Sequence, residues 1–279
     1  MSYKIVVDSC CDLPPFLKEM PNVQSVPLTL IVDGIEYVDD ESFDRASFIR
    51  AVAGSSDGGR SSCPSPSAYF EAFSGEYDDI YVVTLSSQLS GSYNSAIVAS
   101  NMHHDEAVKK NIHVFDSKSA SCGQTLIAYK ISRLAEKGIG FDGIVKRVEK
   151  YIEELDTYFV LETLETLRKN GRLNSLSAFV ATALNIKPVM GSTDAGTIQK
   201  IEQVRGMNKS LRRLAAIVCE RTRHAEGKVL AIAHCNCRER AEFVKREIEK
   251  ISHFKEIVIV ETGGVSTLYA NNGGIIVAV

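Results

Sequence analysis

Short apolar runs alternate with segments of helical periodicity along most of the chain. Three runs in the first half are rich in Val and Ile and end in polar residues, a pattern typical of strands buried in a parallel sheet. These predicted strands span 4–9, 79–86 and 112–117. Apolar positions recur with helical spacing over 67–75, 123–138 and 143–155. The alternation predicts an α/β fold with a mainly parallel sheet in this half.

Residues 26–39 depart from this alternation. Two extended runs flank the dipeptide Asp33-Gly34, which is a strong signal for a two-residue hairpin turn. We therefore expect an antiparallel β-hairpin that leaves the first domain as an excursion.

The pattern starts afresh after residue 155. Predicted strands span 157–164, 228–235, 256–262 and 273–279, and predicted helices span 175–184, 208–223 and 238–252. A second hairpin is predicted over 189–204, with its turn at 194–196. These elements predict two α/β domains, 1–155 with a mainly parallel sheet and 156–279 with a mixed sheet and helices.

Composition narrows the class of protein. The 279 residues are 44% hydrophobic and 24% charged, with a net charge of −3. A nucleic-acid-binding protein carries a basic excess, so we expect no nucleic-acid partner. No apolar run approaches the ~20 residues of a membrane span, so we expect no stable membrane insertion. The first residues lack the pattern of a signal peptide and enter a strand, from which we expect a cytoplasmic protein.

Seven cysteines are scattered through apolar and loop segments. In a reducing compartment such residues are mostly small buried apolar side chains. His234, Cys235 and Cys237 offer three metal ligands, but the sequence has no second cluster to complete a tetrahedral site. We therefore predict no metal and no cofactor.

Serine and aspartate residues follow the predicted strands of the first half. They are Asp8 and Ser9, then Ser86, Ser87, Ser90 and Ser92, then Asp116, Ser117, Ser119 and Ser121, with Ser61 and Ser62 in a further segment, RSSCPSP. Since parallel strands end at one edge of a sheet, these hydroxyls and nearby helix N-termini favour a site for a carboxylate or phosphate. Serine is also a common turn and N-cap residue, so helix capping alone is the alternative interpretation.

A catalytic role for these serines has little support in the sequence. No GxSxG or GxxxxGK[ST] motif occurs. The glycines at 138, 140 and 143 match GxGxxG, but they follow a predicted helix rather than a strand, which is typical of a helix end and turn and not of a dinucleotide site. His234 could act as a base but lies in the other half. A serine-dependent hydrolase or phosphoryl-transfer enzyme, and a small-anion metabolite-binding module, stay open as alternatives.

Basic residues form two modest clusters. One holds Arg168, Lys169 and Arg172, and the other holds Arg205, Lys209, Arg212 and Arg213. Each is typical of a solvated helix face, and the alternative is a docking surface for an acidic partner.

In their order along the chain, these motifs resemble the DegV family of bacterial fatty-acid-binding proteins. The segments that carry the resemblance are VVDSCCDL, VPL at 26–28, RSSCPSP, LSSQLSGSYNSA, FDSKSASCGQ, LRKNGRL, KPVM and QVRGMNKSL. In RSSCPSP, Ser61 stands in place of the family's threonine and Cys63 in place of its glutamine. Each motif alone is weak, whereas the ordered set is specific.

The resemblance implies a lipid-binding protein of two α/β domains, with a long-chain fatty acid held between them and no catalysis of its own. It implies that hydroxyls of the segments RSSCPSP and LSSQLSGSYNSA bind the carboxylate. In this chain they are Ser61 or Ser62 and Ser90 with Ser92. Ser9 and Ser117 would support the head group. Some members present the acid to a separate fatty acid kinase, and Arg205, together with Arg172, would then contact that partner.

The C-terminal segment departs from the family pattern. Many members have a His-x-Gly-Pro-Gly segment whose histidine helps to hold the head group, whereas this chain has no histidine after His253. Tyr269, Asn271 or Ser266 could supply a replacement donor. The ligand's chain length and saturation and the oligomeric state are not readable from the sequence.

Overall fold

The computed structural model describes residues 2–104, 110–173 and 185–279 of the chain. The first half runs β1 (Tyr3–Asp8), α1 (Pro15–Lys18), β2 (Val23–Val26), β3 (Thr29–Val32), β4 (Ile35–Val38), α2 (Arg45–Gly54), β5 (Gly59–Ser62), α3 (Pro66–Ala72), β6 (Asp79–Thr84), α4 (Ser92–His104), β7 (Asn111–Asp116), α5 (Cys122–Glu136) and α6 (Phe141–Glu153). The second half runs β8 (Thr157–Val160), α7 (Glu165–Lys169), β9 (Val189–Ser192), β10 (Ile198–Glu202), α8 (Met207–Arg221), β11 (Val229–His234), α9 (Arg238–Glu249), β12 (Glu256–Glu261), α10 (Gly264–Ala270) and β13 (Ile275–Ala278).

The first sheet consists of parallel strands in the order β2-β1-β6-β7. The central strands β1 and β6 are buried on both faces, which is why their sequences are nearly continuous apolar runs. One face packs on α3 and α4 around Tyr69 and Phe73, and the other packs on α5 and α6 around Ile127 and Val148. The predicted α/β class with a parallel first sheet is confirmed.

The hairpin over 26–39 is also confirmed, as antiparallel β3 and β4. Asp33 and Gly34 have φ of 49° and 80°, and two consecutive positive φ angles define the type I′ turn that suits a twisted hairpin. The sequence did not predict β5, which pairs with the other side of β3 and completes a separate three-stranded sheet. This pairing places Ser61 opposite Leu30.

The second sheet is mixed, in the order β10-β9-β8-β13-β11-β12, and only β11 and β12 pair in parallel among its described strands. Helices α8 and α9 cover one face through a core that includes Leu214, Val244 and Val277. The predicted hairpin over 189–204 is present as β9 and β10. The mixed sheet of the second half is therefore confirmed.

Helix α5 forms a layer that the two sheets share. It packs against β1 and β6 of the first sheet and against β11 and β13 of the second. Its Ile127 and Ile131 belong to the core of the first sheet, whereas Cys122 and Leu126 contact Ala231 of the second. Every residue from Cys122 to Ala128 is buried, so the first two turns of α5 are enclosed on all sides.

Several elements differ from the sequence-based expectations. Helices α1, α2, α7 and α10 and strands β2 and β5 were not predicted, and the predicted strand 157–164 ends at Val160. The helix predicted over 175–184 lies outside the described residues. None of the helices in the described ranges is both long and apolar enough to cross a membrane.

The turn between β9 and β10 contacts the first half at Gly196. The Gly196 carbonyl accepts a hydrogen bond of 2.8 Å from the Ser86 hydroxyl. A Cβ at Gly196, whose φ is 84°, would overlap Ser86 Oγ and lie 2.9 Å from the Cα of Lys118. Only glycine permits this close approach between the two halves.

We predict that Gly196→Ala lowers the free energy of unfolding by about 2–4 kcal/mol, because it adds a steric clash to an unfavourable positive φ. Gly34→Ala is the matched control, since Gly34 has a φ of 80° and a Cβ added there would have nothing within 4 Å. Urea unfolding of both variants measures the difference. Equal losses of stability would show that the contact at Gly196 is not tight.

Candidate functional site

A cavity lies between residues of the first and second halves. It is open to solvent, and the space between its walls together with the solvent at its mouth amounts to about 820 Å³. Most of its wall is apolar, and the main apolar side chains are Leu85, Leu89, Phe159, Leu161, Ile198 and Ile276. Because side chains alternate along a strand, Phe159 and Leu161 face the cavity while Tyr158 and Val160 pack in the core beneath α8.

Ser61 and Tyr269 meet in the wall of this cavity. Ser61 lies on the side of β5 that faces the cavity, whereas the next residue, Ser62, points away and is exposed. The Ser61 Oγ lies 3.0 Å from the Tyr269 hydroxyl, which belongs to α10. Of the two serines considered in this segment, the structure therefore brings Ser61 to the cavity.

Ser90 also lines the cavity, and Ser92 lies directly behind it. The Ser92 backbone N–H donates to Ser90 Oγ at 3.2 Å, and the two hydroxyl oxygens are 3.1 Å apart. Ser92 is fully buried at the start of α4, beside Asp8 and Tyr69. Ser92 can therefore orient the Ser90 hydroxyl, and of the two only Ser90 is open to the cavity.

Arg172 lies in the cavity wall rather than on a solvated helix face. Its Nε donates to the Leu89 carbonyl at 3.1 Å, next to Ser90, and a terminal N–H donates to the Asn170 carbonyl. Arg168, from the same basic cluster, is instead paired with Glu165 at the surface. We refer to Ser61, Ser90, Arg172 and Tyr269 together as the proximal polar cluster.

Three of the predicted supporting residues do not line the cavity. The Ser9 hydroxyl accepts a hydrogen bond of 3.0 Å from the Leu28 N–H. The Ser117 hydroxyl donates to the Ser119 carbonyl and accepts from the Ser119 N–H. Asn271 follows α10, where its side chain donates to the Tyr269 carbonyl at 3.2 Å. These side chains stabilise turns and chain crossings. Ser266 of α10 does line the cavity, next to Val265.

A second group of polar side chains lines the cavity around the start of β8. We call Lys118, Ser119, Thr157, Ser192 and Thr197 the distal polar cluster. Only Ser119 of this group was among the candidate residues predicted from the sequence. Lys118 lies in the same serine-rich loop, where its φ of 50° is a signal that a structure reveals and a sequence does not.

Two buried carboxylates of the first half hold the start of α10. The Asp39 oxygens accept from the N–H groups of Gly264 and Val265 at 2.7 and 2.9 Å. Asp12 accepts from the Gly263 N–H at 2.6 Å and from the Ser121 hydroxyl. These bonds satisfy N–H groups that the first turn of a helix leaves without partners.

Burial dominates the ionisation of these acids. It raises the pKa of Asp12 from its ordinary 3.8 to about 7, although the hydrogen bonds from Ser121 and Gly263 oppose the shift. It raises the pKa of Asp8 to about 6, against hydrogen bonds from Gln124 and Leu85, and it also raises the pKa of Asp39. The folded protein therefore favours the protonated forms more than the unfolded chain does.

Among the described residues, no histidine or carboxylate bonds to Ser61 or Ser90, and no metal site is present. Within the described residues, the side chains that line the cavity include no histidine, aspartate or glutamate. His234 and Cys237 form a turn after β11 in which the Cys237 N–H points to His234 Nδ1, and burial lowers the pKa of His234. Across the described ranges, no three His, Cys, Asp or Glu side chains are grouped to hold a metal ion.

The fold and the cavity define an α/β protein in which a largely apolar cavity, lined in addition by two groups of polar side chains, lies between the two halves of the chain. Residues 2–279 match the model of the DegV family. A DegV domain-containing protein of Streptococcus gordonii is 34% identical over 283 residues, covering 99% of this chain and 98% of that protein. The chain therefore belongs to the DegV family.

Solved structures of relatives share the whole fold. A DegV family protein of Ruminococcus gnavus, refined with vaccenic acid, superposes with a TM-score of 0.97 at 48% identity, covering 100% of this chain and 99% of that one. The Streptococcus pneumoniae Fatty Acid Kinase (Fak) B3 protein, loaded with linoleic acid, superposes with a TM-score of 0.91 at 32% identity and the same coverage. Both relatives are thus similar to this chain along its entire length.

The raised pKa values predict that stability falls as pH rises. Between the ordinary carboxyl pKa and about pH 7 the folded state binds more protons than the unfolded chain, so the free energy of unfolding decreases with pH across this window. We expect Asp12→Asn to make that decrease shallower, because it removes one of the contributing groups. Urea unfolding at several values between about pH 5 and pH 8 measures the slope.

Asp57→Asn is the control, because Asp57 is exposed and far from these contacts in the chain. It should leave the wild-type slope unchanged. A slope for Asp12→Asn as steep as that of the wild type would contradict the assignment of Asp12.

Proposed function

We propose that the protein binds a long-chain fatty acid in the cavity between its two halves, 1–155 and 156–279, which act as domains. The observation that carries the proposal is a largely apolar cavity wall that also contains the hydroxyl residues and the arginine of the proximal polar cluster. Such a site is complementary to an alkyl chain with a carboxylate at one end. The vaccenic and linoleic acids bound by the R. gnavus and S. pneumoniae relatives support it.

The carboxylate would bind at Ser61 and Ser90, with Tyr269 and Arg172 beside it. Hydroxyl and guanidinium N–H groups are donors, and hydrogen bonds to an ionised carboxylate are stronger than those between neutral groups. Ser92 would act by holding the Ser90 hydroxyl. Tyr269 would take the place of the family's C-terminal histidine, because its hydroxyl already lies beside Ser61.

The alkyl chain would supply most of the affinity. Burial of about 14 methylene groups at ~0.8 kcal/mol each gives roughly 11 kcal/mol before the cost of association. A hydrogen bond to a charged head group adds about 1.5–3 kcal/mol. The polar cluster would therefore fix the position of the ligand along the cavity more than it fixes the affinity.

The alternatives fit the cavity less well. A hydrolase or phosphoryl-transfer enzyme needs a base beside its serine, and within the described residues no histidine or carboxylate bonds to Ser61 or Ser90. The acid that bonds to the lining residue Ser121 is Asp12, which lies behind the wall and also holds α10. A small-anion metabolite would leave most of the apolar wall without contact. A non-catalytic lipid-binding protein uses both features of the site.

We expect wild-type protein purified from a bacterial host to retain a stoichiometric fatty acid in native mass spectrometry. Ser61→Ala and Ser90→Ala should each raise the Kd for added palmitate about 10–100-fold without abolishing binding, since the tail contacts remain. Titration of delipidated protein with palmitate measures the change.

Ser67→Ala, on the exposed side of α3, is the control and should bind like the wild type. Unchanged affinity in both cavity variants would refute the head-group assignment. A wild-type protein that takes up neither palmitate nor oleate would refute the fatty-acid proposal as a whole.

We further propose that the protein is a carrier that presents its acid to a separate fatty acid kinase. The similarity to the S. pneumoniae kinase B3 protein supports this role. Arg205 is exposed just before α8 and accessible to a partner, whereas Arg172 is committed to the cavity. The product would be an acyl phosphate.

We predict that Arg205→Ala lowers the rate of acyl phosphate formation by a bacterial fatty acid kinase about tenfold, because it removes one interface charge. Palmitate affinity should stay unchanged. Trapping of the acyl phosphate with hydroxylamine measures the rate, and Arg223→Ala, another exposed arginine, is the control. If the kinase formed acyl phosphate from free palmitate equally fast with and without this protein, the proposed carrier role would be wrong.

A further inference from the structure

The distal polar cluster surrounds the start of β8, whereas Tyr269 of the proximal polar cluster lies on α10, whose Ala270 packs beside Leu161 beyond the other end of the strand. Thr157 begins β8 and donates its backbone N–H to Ser192 Oγ at 3.2 Å, whereas Leu161 follows the last residue of the strand. Four residues of extended chain separate these positions by about 13 Å. Phe159 and Ile276 line the cavity between them. The cavity therefore has polar groups at two ends and an apolar middle.

The hydroxyls of the distal polar cluster are bonded to one another or to nearby groups. Ser119 Oγ lies 2.6 Å from Thr157 Oγ1, and Thr197 Oγ1 lies 2.8 Å from the hydroxyl of Thr193. Each hydroxyl still has a lone pair or a proton free for a further bond. Lys118 differs from them, because its ammonium group is charged and has no such partner within the described part of the chain.

Lys118 is half-buried, and no ion pair or hydrogen bond of its ammonium group is made with any residue in the described ranges. Asp116, two residues away, is the nearest acid in the loop. Its oxygens accept from the Ser87 N–H at 3.0 Å, from the Ser87 hydroxyl and from the Lys118 backbone N–H at 3.1 Å. Asp116 thus fixes the loop rather than neutralising the Lys118 side chain.

The backbone at Lys118 is held in place on both sides. Its φ of 50° is unfavourable for a residue with a side chain, and a strained backbone persists only where its surroundings impose it. The Gly196 turn packs directly on the Lys118 Cα, and Gly196 is in turn bonded to Ser86. A cation in a cavity wall costs free energy unless an anion pairs with it.

We propose that the distal polar cluster binds a second acidic group of the ligand, so that the cavity accepts a long-chain dicarboxylic acid with one carboxylate at each polar end. This inference rests on the proposed function, since it requires an acyl ligand in the cavity. The methyl end of a simple fatty acid would leave the Lys118 charge without a partner. A carboxylate there would gain a charge-assisted bond to Lys118 and further bonds from Ser119 or Thr157.

The test compares hexadecanedioic acid with its monomethyl ester, because the two share one sixteen-carbon chain and the ester replaces one carboxylate by an uncharged group that is one methyl larger. Wild-type protein should bind the diacid at least about tenfold more tightly than the ester. Lys118→Met should abolish that preference, measured as the ratio of the diacid and ester Kd values, in a protein that still binds palmitate. Lys118→Gln, which keeps polarity without charge, should also abolish it. Lys150→Met, at an exposed lysine of α6, is the control.

The outcomes separate this inference from the proposed function. Wild-type protein that binds palmitate but binds diacid and ester equally overturns the inference alone. Loss of palmitate affinity in Lys118→Met would place the single carboxylate at Lys118 and also overturn it. Failure of wild-type protein to bind palmitate would overturn the proposed function itself.

Discussion

The cavity depends on the contact between two buried carboxylates, Asp12 and Asp39, and the first N–H groups of α10. The acids belong to the first half of the chain and the helix to the second, more than 220 residues later. Without these acceptors, three backbone N–H groups would be buried without partners, at about 1–3 kcal/mol each. The contact attaches to the first half the helix that carries Val265 and Tyr269 into the cavity wall.

The same contact explains why glycine stands at position 264, in the first turn of α10. A Cβ at Gly264 would lie 2.5 Å from an Asp39 oxygen and 2.7 Å from Leu30, so a side chain there would displace the helix. Glycine has low helix propensity, and a seven-residue helix is marginal on its own. Tertiary hydrogen bonds to Asp12 and Asp39 compensate for that weakness, which is why no local pattern predicts α10.

Elements whose structure is determined by neighbouring residues could be predicted from the sequence. The apolar strand β6 and the Asp33-Gly34 turn were predicted because burial and positive φ leave local signatures. The candidate serines were found for the same reason, but choosing Ser61 over Ser62 required the pairing of β5 with β3. Arg172 and Lys118 resemble ordinary polar loop residues in the sequence. Their position in the cavity follows from contacts between distant segments.

Charged groups around the cavity are arranged in two layers. Its wall contains cations and hydroxyls, while the acids lie one layer behind, Asp12 behind the lining residue Ser121 and Asp8 behind Ser92. A carboxylate ligand against an exposed aspartate would be repelled, and the pKa of one of the two would rise sharply. Serines that donate to the buried acids separate the two negative charges. Ser121 thus lets Asp12 hold the start of α10 without facing an anion in the cavity.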